Sequence, residues 1–285
     1  MLKKFLIMPI HLLRKYKAMS ALTQLTSHKY TKLKAVGDAL HELLTNTISD
    51  DEKKWVALIE QRRSFLLNSD KQIVYIDYGA GSSSSNLEKE EMEKGVQSMT
   101  LVSNITKASK PPFWAAFLFK LIRKLEPASC VELGSCVGIS AAYQAAALDL
   151  NGEGSLLTLE GSPEIAEIAN ETLEGLSLQN VSIVTGPFHE TLKGVLESAA
   201  PIDFFFNDGH HDHDAVIQYF NDALPYLSDD AIVVFDDISW SSGMRKAWAE
   251  IEEHQRVAAS IKFRTIGIAL VGNKVKAKER FRIPL

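Results

Sequence analysis

From Ser129 onward, short apolar runs alternate with segments that are apolar along one helical face, and this alternation limits the fold more than any other feature. The runs are SCVEL, SLLTLE, VSIVTG, IDFFFND and AIVVFDD, and between them lie GISAAYQAAALDL, PEIAEIANETLEGL, ETLKGVLESA and HDAVIQYFNDAL. Strands that are apolar throughout need cover on both faces, and the intervening helices can supply it. SIKFRTIGIALVGN adds one or two further strands at the end. The expected fold is α/β: a doubly wound, Rossmann-like, mostly parallel sheet.

Ahead of the alternation the chain reads as helical. SDDEKKWVALIEQRRSFLLN opens with a capping serine and acidic residues in its first turn, and PPFWAAFLFKLIRKLEP is bracketed by prolines. QIVYIDYGAGSSSSN predicts a short strand running into a Gly/Ser loop, which could close as a lid or serve as a plain connector, and LEKEEMEKG predicts an exposed charged segment. Two regions follow: an N-terminal helical and lid region over residues 1–110, and the sheet over residues 111–285.

In a doubly wound sheet, ligands sit beyond the carboxyl ends of the strands. Four of the five runs end in carboxylates: Glu132, Glu160, Asp208 and the pair Asp236–Asp237. A carboxylate closing a buried strand is costly unless a ligand, a metal or several donors meet it. The first loop, VELGSCVG, is not the dinucleotide fingerprint, because Cys136 stands where a second glycine would be needed. Gly134 permits a tight turn, Gly138 lets the next helix start close to the sheet, and Glu160 is placed to accept both ribose hydroxyls of a nucleoside.

VELGSCVGIS, LEGSP, NDGHH and FDDISW, in this order and spacing, resemble the class I S-adenosylmethionine-dependent methyltransferases. Within that class the resemblance is to small-molecule O-methyltransferases of the catechol and antibiotic-sugar types, and it covers roughly residues 111 to 272. It implies that residues 111–285 are the S-adenosylmethionine-binding domain. The loop of Glu132, Gly134, Ser135 and Gly138 would wrap the methionine part of the cofactor. Glu160, followed by Gly161 and Ser162, would hold the ribose, with Gly186, Pro187 and Phe188 near the adenine and Asp208 also at the cofactor. The resemblance further implies that Asp208, Asp236 and Asp237 bind Mg²⁺ or Mn²⁺. Where the catechol type carries a lysine base three residues after its strand-four Asp, this chain has His211, so His211 or His210 becomes the candidate base.

The stretch DFFFNDGHHDHD crowds acidic and imidazole groups after a buried strand. Asp212 and Asp214 precede a helix and suit an N-cap and its first turn, and His213 is expected to face solvent. Three histidines so close in sequence do not converge on zinc, and an oxygen-rich set suits a hard cation. Trp240 is expected at an acceptor pocket, whereas Met244 and Trp248 at near-helical spacing belong to the core.

Composition narrows the function. At 46% hydrophobic and 24% charged residues the chain is an ordinary globular one, and a net charge of -5 argues against nucleic acid as a partner. Two cysteines, Cys130 and Cys136, give no disulfide framework and point to a reducing, cytoplasmic setting. MLKKFLIMPIHLLRKYK is too interrupted for a signal peptide, and no window reaches transmembrane length. Eight Lys/Arg and no Asp/Glu precede Asp38. This basic stretch reads as a solvated face, a contact for an anionic partner, or a surface for a homodimer. The leading expectation is methyl transfer to a small hydroxylated molecule. A nicotinamide-dependent oxidoreductase and a non-catalytic nucleoside-binding module are the alternatives.

Overall fold

Three consecutive phenylalanines at the centre of the chain show how the sheet is covered. Phe204 and Phe206 point into one core and Phe205 into the other, and all three are fully buried. Alternation across a strand sends neighbours to opposite faces, so a strand apolar at every position needs a layer on each side. The computed structural model, which describes residues 18–19, 22–79, 94–272 and 278–285, provides both. Most of the Gly/Ser loop, the acidic segment after it and the first 17 residues lie outside the described residues.

The helices α1 (Thr31–Thr45) and α2 (Asp50–Leu67) lead into a hairpin of β1 (Gln72–Asp77) and β2 (Val96–Leu101). Two further helices follow, α3 (Val102–Ala108) and α4 (Pro112–Leu125). The main sheet then alternates β3 (Ser129–Leu133), α5 (Ile139–Asn151), β4 (Ser155–Glu160), α6 (Pro163–Gly175), β5 (Val181–Thr185), α7 (Phe188–Ala199) and β6 (Ile202–Asn207). It continues through α8 (His213–Ala223), β7 (Leu227–Phe235), α9 (Ser242–Glu253), β8 (Val257–Lys262), β9 (Gly267–Val271) and β10 (Glu279–Arg282).

The strand order is β10-β8-β9-β7-β6-β3-β4-β5. Neighbours from β7 to β5 pair in parallel, whereas β9 runs antiparallel to both β7 and β8. The order reverses between β3 and β6, which places the ligand crevice beyond Leu133 and Asn207. This is the expected mostly parallel, doubly wound sheet behind N-terminal helices. Among the described residues no helix is long and apolar enough to cross a membrane.

Local chemistry sets several boundaries. Ser49 caps α2 reciprocally: its hydroxyl accepts from Glu52 N at 3.2 Å and its own N–H donates to Glu52 Oε2 at 2.8 Å. Pro112 opens α4. β2, α3 and β10 are elements that the apolar periodicity of the sequence does not signal. β2 is half wet on both faces, and its register against β1, Gln72 with Leu101 and Asp77 with Val96, defines it as a strand. The hairpin is tied to the main sheet by Ile76 N, which donates to Ser162 Oγ at 3.2 Å. One core holds Leu25, Val36 and Ile59 together with Phe119, Phe204 and Ile268, so the N-terminal helices and one face of the sheet bury each other.

Candidate active site

At the switch point, the backbone after β3 folds against the end of β4. Gly134 N and Ser135 N donate to Leu159 O at 2.9 and 3.0 Å. Gly134 has φ +91°, and a Cβ there would stand 2.6 Å from the carbonyl oxygen of Asp208. Its glycine is therefore required by the protein's own loops, because the β3 and β6 ends touch through it. Gly138, with φ +83°, closes the turn against Ala169 and starts α5.

Glu132 and Glu160 differ in where they point. Glu132 is fully buried and turned inward: Thr158 Oγ1 donates to it at 2.6 Å and Gln144 Nε2 at 2.7 Å. Ser135 completes this chain with a 2.6 Å bond to Thr158. Burial pushes the Glu132 carboxyl up to about 7 against those donors. Glu160 closes β4 at the crevice, where Cys136 N donates to Oε2 at 2.9 Å and Ser162 N to Oε1 at 3.1 Å. Burial pushes it, too, up to about 7. Each oxygen keeps a lone pair for a further donor.

The remaining residues expected at the cofactor divide likewise. Gly186 N donates to Glu160 O at 2.9 Å, and Pro187 caps α7 beside it. Ser162 is committed to Ile76 and Glu164, and Gly161 lies under the Tyr78 ring, 2.7 Å from where a Cβ would sit. Phe188 is buried, edge-on to His210 at 5.4 Å and to Tyr219 at 5.7 Å. The rim facing the crevice is thus made by the Gly134–Gly138 backbone, Glu160 and the Gly186–Pro187 turn. Glu132, Ser162 and Phe188 support it from behind.

Beyond β6 and β7 the geometry departs from the sequence-based expectation. Lys110, between α3 and α4, places its Nζ 3.0 Å from Asp208 Oδ2 and in close contact with Asp236 Oδ2. The Lys110 side chain is 6% exposed. Burial alone would lower its pKa, but the two carboxylates outweigh burial and raise it, so it stays charged. Burial pushes Asp208 well up; it pushes on Asp236 as well, but there Lys110 prevails and holds the carboxyl low. Asp237, at φ +49°, turns elsewhere: its Oδ2 lies 3.7 Å from His211 Nε2. Among the described residues no group of three or more His, Cys, Asp or Glu side chains is arranged to hold a metal ion. Asp208, Asp236 and Asp237 therefore form no metal cradle as they stand, because an ammonium sits between two of them and the third faces an imidazole.

The crowded DFFFNDGHHDHD stretch also resolves. Asp212 is the N-cap of α8, accepting from Asp214 N at 3.0 Å and Ala215 N at 3.2 Å. His213 bridges Asp214 and Glu250 at the surface. His210 has both ring nitrogens occupied, with Nε2 3.0 Å from Tyr78 O and Nδ1 3.0 Å from the Tyr219 hydroxyl. The carbonyl can only accept, so Nε2 carries the proton and Nδ1 accepts from the tyrosine. His210 is thereby a joint between β1, β6 and α8, with no nitrogen left to take a proton. His211 is different: its Nδ1 is buried without a hydrogen-bond partner among the described residues, and burial lowers its pKa, which favours the neutral ring.

Next to this pair lies a cleft of about 610 Å³, walled by Phe113, Trp114 and Trp240, with Arg264 and Asp237 on its lining. Trp240 is 54% exposed and sits 6.2 Å from the His211 ring, whereas Met244 and Trp248 are buried in the core.

Residues 131–238 match the family described as "Methyltransferase domain". Over this stretch the chain is similar to methyltransferase domains. Catechol O-methyltransferase of Niastella koreensis (strain DSM 17620 / KACC 11465 / NBRC 106392 / GR20-10) is 32% identical over 133 residues, which are 46% of this chain and 58% of that one. The chain thus spans little more than half the length of this curated relative. The structure of the O-methyltransferase from Bacillus cereus in complex with SAH superposes with a TM-score of 0.51 at 23% identity, over 59% of this chain and 85% of that one. Cofactor-bound Rv0187 from MTB superposes with a TM-score of 0.52 at 18% identity, over 87% of this chain and all of that one. Both share the fold, and the second extends the likeness to the N-terminal helices. At this site the residue that sequence reasoning missed is Lys110. Its only sequence signal is a lysine placed directly before the Pro-Pro helix start, in a chain whose acidic strand ends have no nearby basic partner.

Proposed function

We propose that the chain is a small-molecule O-methyltransferase that uses S-adenosylmethionine, which supplies a sulfonium-bound methyl group when bound. The observation that carries this reading is the Glu160 carboxylate at the switch-point crevice, oriented by two backbone N–H groups and with acceptor capacity left for a ribose diol. The Gly134–Gly138 loop and the Gly186–Pro187 turn flank it, the first held to Leu159 O and the second to Glu160 O by backbone hydrogen bonds. The related catechol O-methyltransferase supports a hydroxyl acceptor.

The acceptor is assigned to the cleft beside Asp237. Walls of Phe113, Trp114 and Trp240 suit a flat hydroxylated ring, and Arg264 suits a partial negative charge on it. His211 takes the hydroxyl proton. Nε2 is the nitrogen that takes it, because Nδ1 is buried, and Asp237, 3.7 Å from Nε2, favours the imidazolium that forms. The divalent metal that the resemblance implies has no part in this reading, because Lys110 already holds Asp208 and Asp236.

The test is transfer of labelled methyl from S-adenosylmethionine into a metabolite extract, with products read by mass spectrometry. His211→Asn should lower turnover on the acceptor so found by about 10²–10⁴-fold, the usual contribution of a positioned base, and leave S-adenosylhomocysteine affinity unchanged. A protein that binds S-adenosylhomocysteine but labels no acceptor would reduce the reading to a binding module.

A further inference from the structure

Two carboxylates, Asp208 and Asp236, close adjacent parallel strands with their side chains turned to the same place. Buried like charges repel, and each is costly without compensation, so such a pair demands a cation. The protein supplies one. Lys110 reaches both carboxylates with a single ammonium that also lies 5.8 Å from the Phe206 ring centroid. Its backbone is held on both sides. Arg63 Nη1 donates to Lys110 O at 2.8 Å, and Pro111 and Pro112 fix the chain where α4 starts. Such anchoring is unusual for a lysine, whose flexible stem normally keeps its head in water.

We propose that Lys110 supplies, as a fixed ammonium, the positive charge that a divalent cation would bring to Asp208 and Asp236, so that this protein needs no metal at its strand ends. The ammonium and a divalent ion compete for the same oxygens, and the resident group has already met the cost of being buried. Lys110 is then a positioning residue. It fixes Asp208, whose carbonyl lies against Gly134 and hence against the glycine loop, and it leaves Asp237 free to face His211. Its consequence for catalysis rests on the methyltransferase reading, whereas its consequence for metal binding does not.

The experiment is a Mn²⁺ titration of the full chain saturated with S-adenosylhomocysteine, with free ion read by electron paramagnetic resonance. The wild-type protein should leave the free-ion signal undiminished, and EDTA should not change methyl transfer into an extract. Lys110→Met, checked for folding by circular dichroism, should gain about one Mn²⁺ per chain, because the two carboxylates then lack a cation. Adding Asp236→Asn to that variant should remove the new site, and Lys110→Arg, which keeps the charge, should bind none. The inference is overturned if the wild type binds Mn²⁺ and loses it on Asp236→Asn, or if a folded Lys110→Met binds none. Should Lys110→Met fail to fold, the wild-type titration decides alone. A wild type that does not bind S-adenosylhomocysteine would sink the methyltransferase reading, while the Mn²⁺ result would still judge Lys110.

Discussion

Glu160 is the residue whose chemistry is most exposed to test. Burial raises its carboxyl to about 7 in the unliganded protein. Ribose hydroxyls donate, and donors favour the ionised form, so nucleoside binding should pull this value back down. S-adenosylhomocysteine binding near neutral pH should therefore release protons, and affinity should rise from about pH 6 and level off above about pH 8. Calorimetry in buffers of different ionisation enthalpy measures the release. Glu160→Gln should abolish it and weaken binding by roughly 1.5–3 kcal/mol, the scale of hydrogen bonds to a charged group. Unchanged proton release in that variant would assign it to the ligand's own amino group. The strand-end carboxylates were legible in the sequence because an acid ending an apolar run has few inexpensive explanations. Lys110 was not, because a lysine in a polar loop is ordinary and its two partners lie far along the chain. Nor could spacing separate His210 from His211. The Tyr78 carbonyl and the Tyr219 hydroxyl that occupy His210 come from other elements.

At the scale of elements, the sheet was legible apart from its edge strand β10, whereas of the hairpin only β1 was. A parallel strand covered on both faces writes itself as an unbroken apolar run, as Phe204, Phe205 and Phe206 do. β2 owes its existence to pairing with β1, and a half-wet strand leaves no such run. Helix starts carry local signals, and α8 offers a clean case. Asp212 accepts from two backbone N–H groups of the first turn and takes no part in the crevice. Asp212→Ala should lower stability by about 1 kcal/mol, the usual cost of a lost cap, without changing S-adenosylhomocysteine affinity. Urea unfolding and a binding titration on the same sample check both halves. A loss of affinity larger than the loss of stability would return Asp212 to the functional side of the cluster.

Across the whole molecule, the N-terminal helices and the sheet share one core, so Lys110 reaches Asp208 and Asp236 from a segment that packing holds in place. The same packing buries acids whose stability contributions depend on pH. Glu132 is fully buried with its carboxyl raised to about 7 from an ordinary 4.5. A group raised in the folded state contributes stability that is complete below its unfolded value and is lost as pH rises through the folded one. Glu132 should thus destabilise the unliganded protein progressively from about pH 4.5 to pH 7, by roughly 3 kcal/mol at the top of that window. His210 and His211, lowered by burial, act in the opposite sense over part of the same range, since their contribution is lost as pH falls. The wild-type profile alone therefore mixes the two. Glu132→Gln separates them: the amide has no charge to bury, and any packing change it brings is independent of pH. The stability difference between variant and wild type should shift in favour of the variant as pH rises from about 4.5 to 7 and stay flat above about 8. Chemical unfolding of both proteins across that range measures it. A difference that does not vary with pH would mean that Glu132 stays ionised in the fold, with Thr158 and Gln144 sufficient to hold its charge.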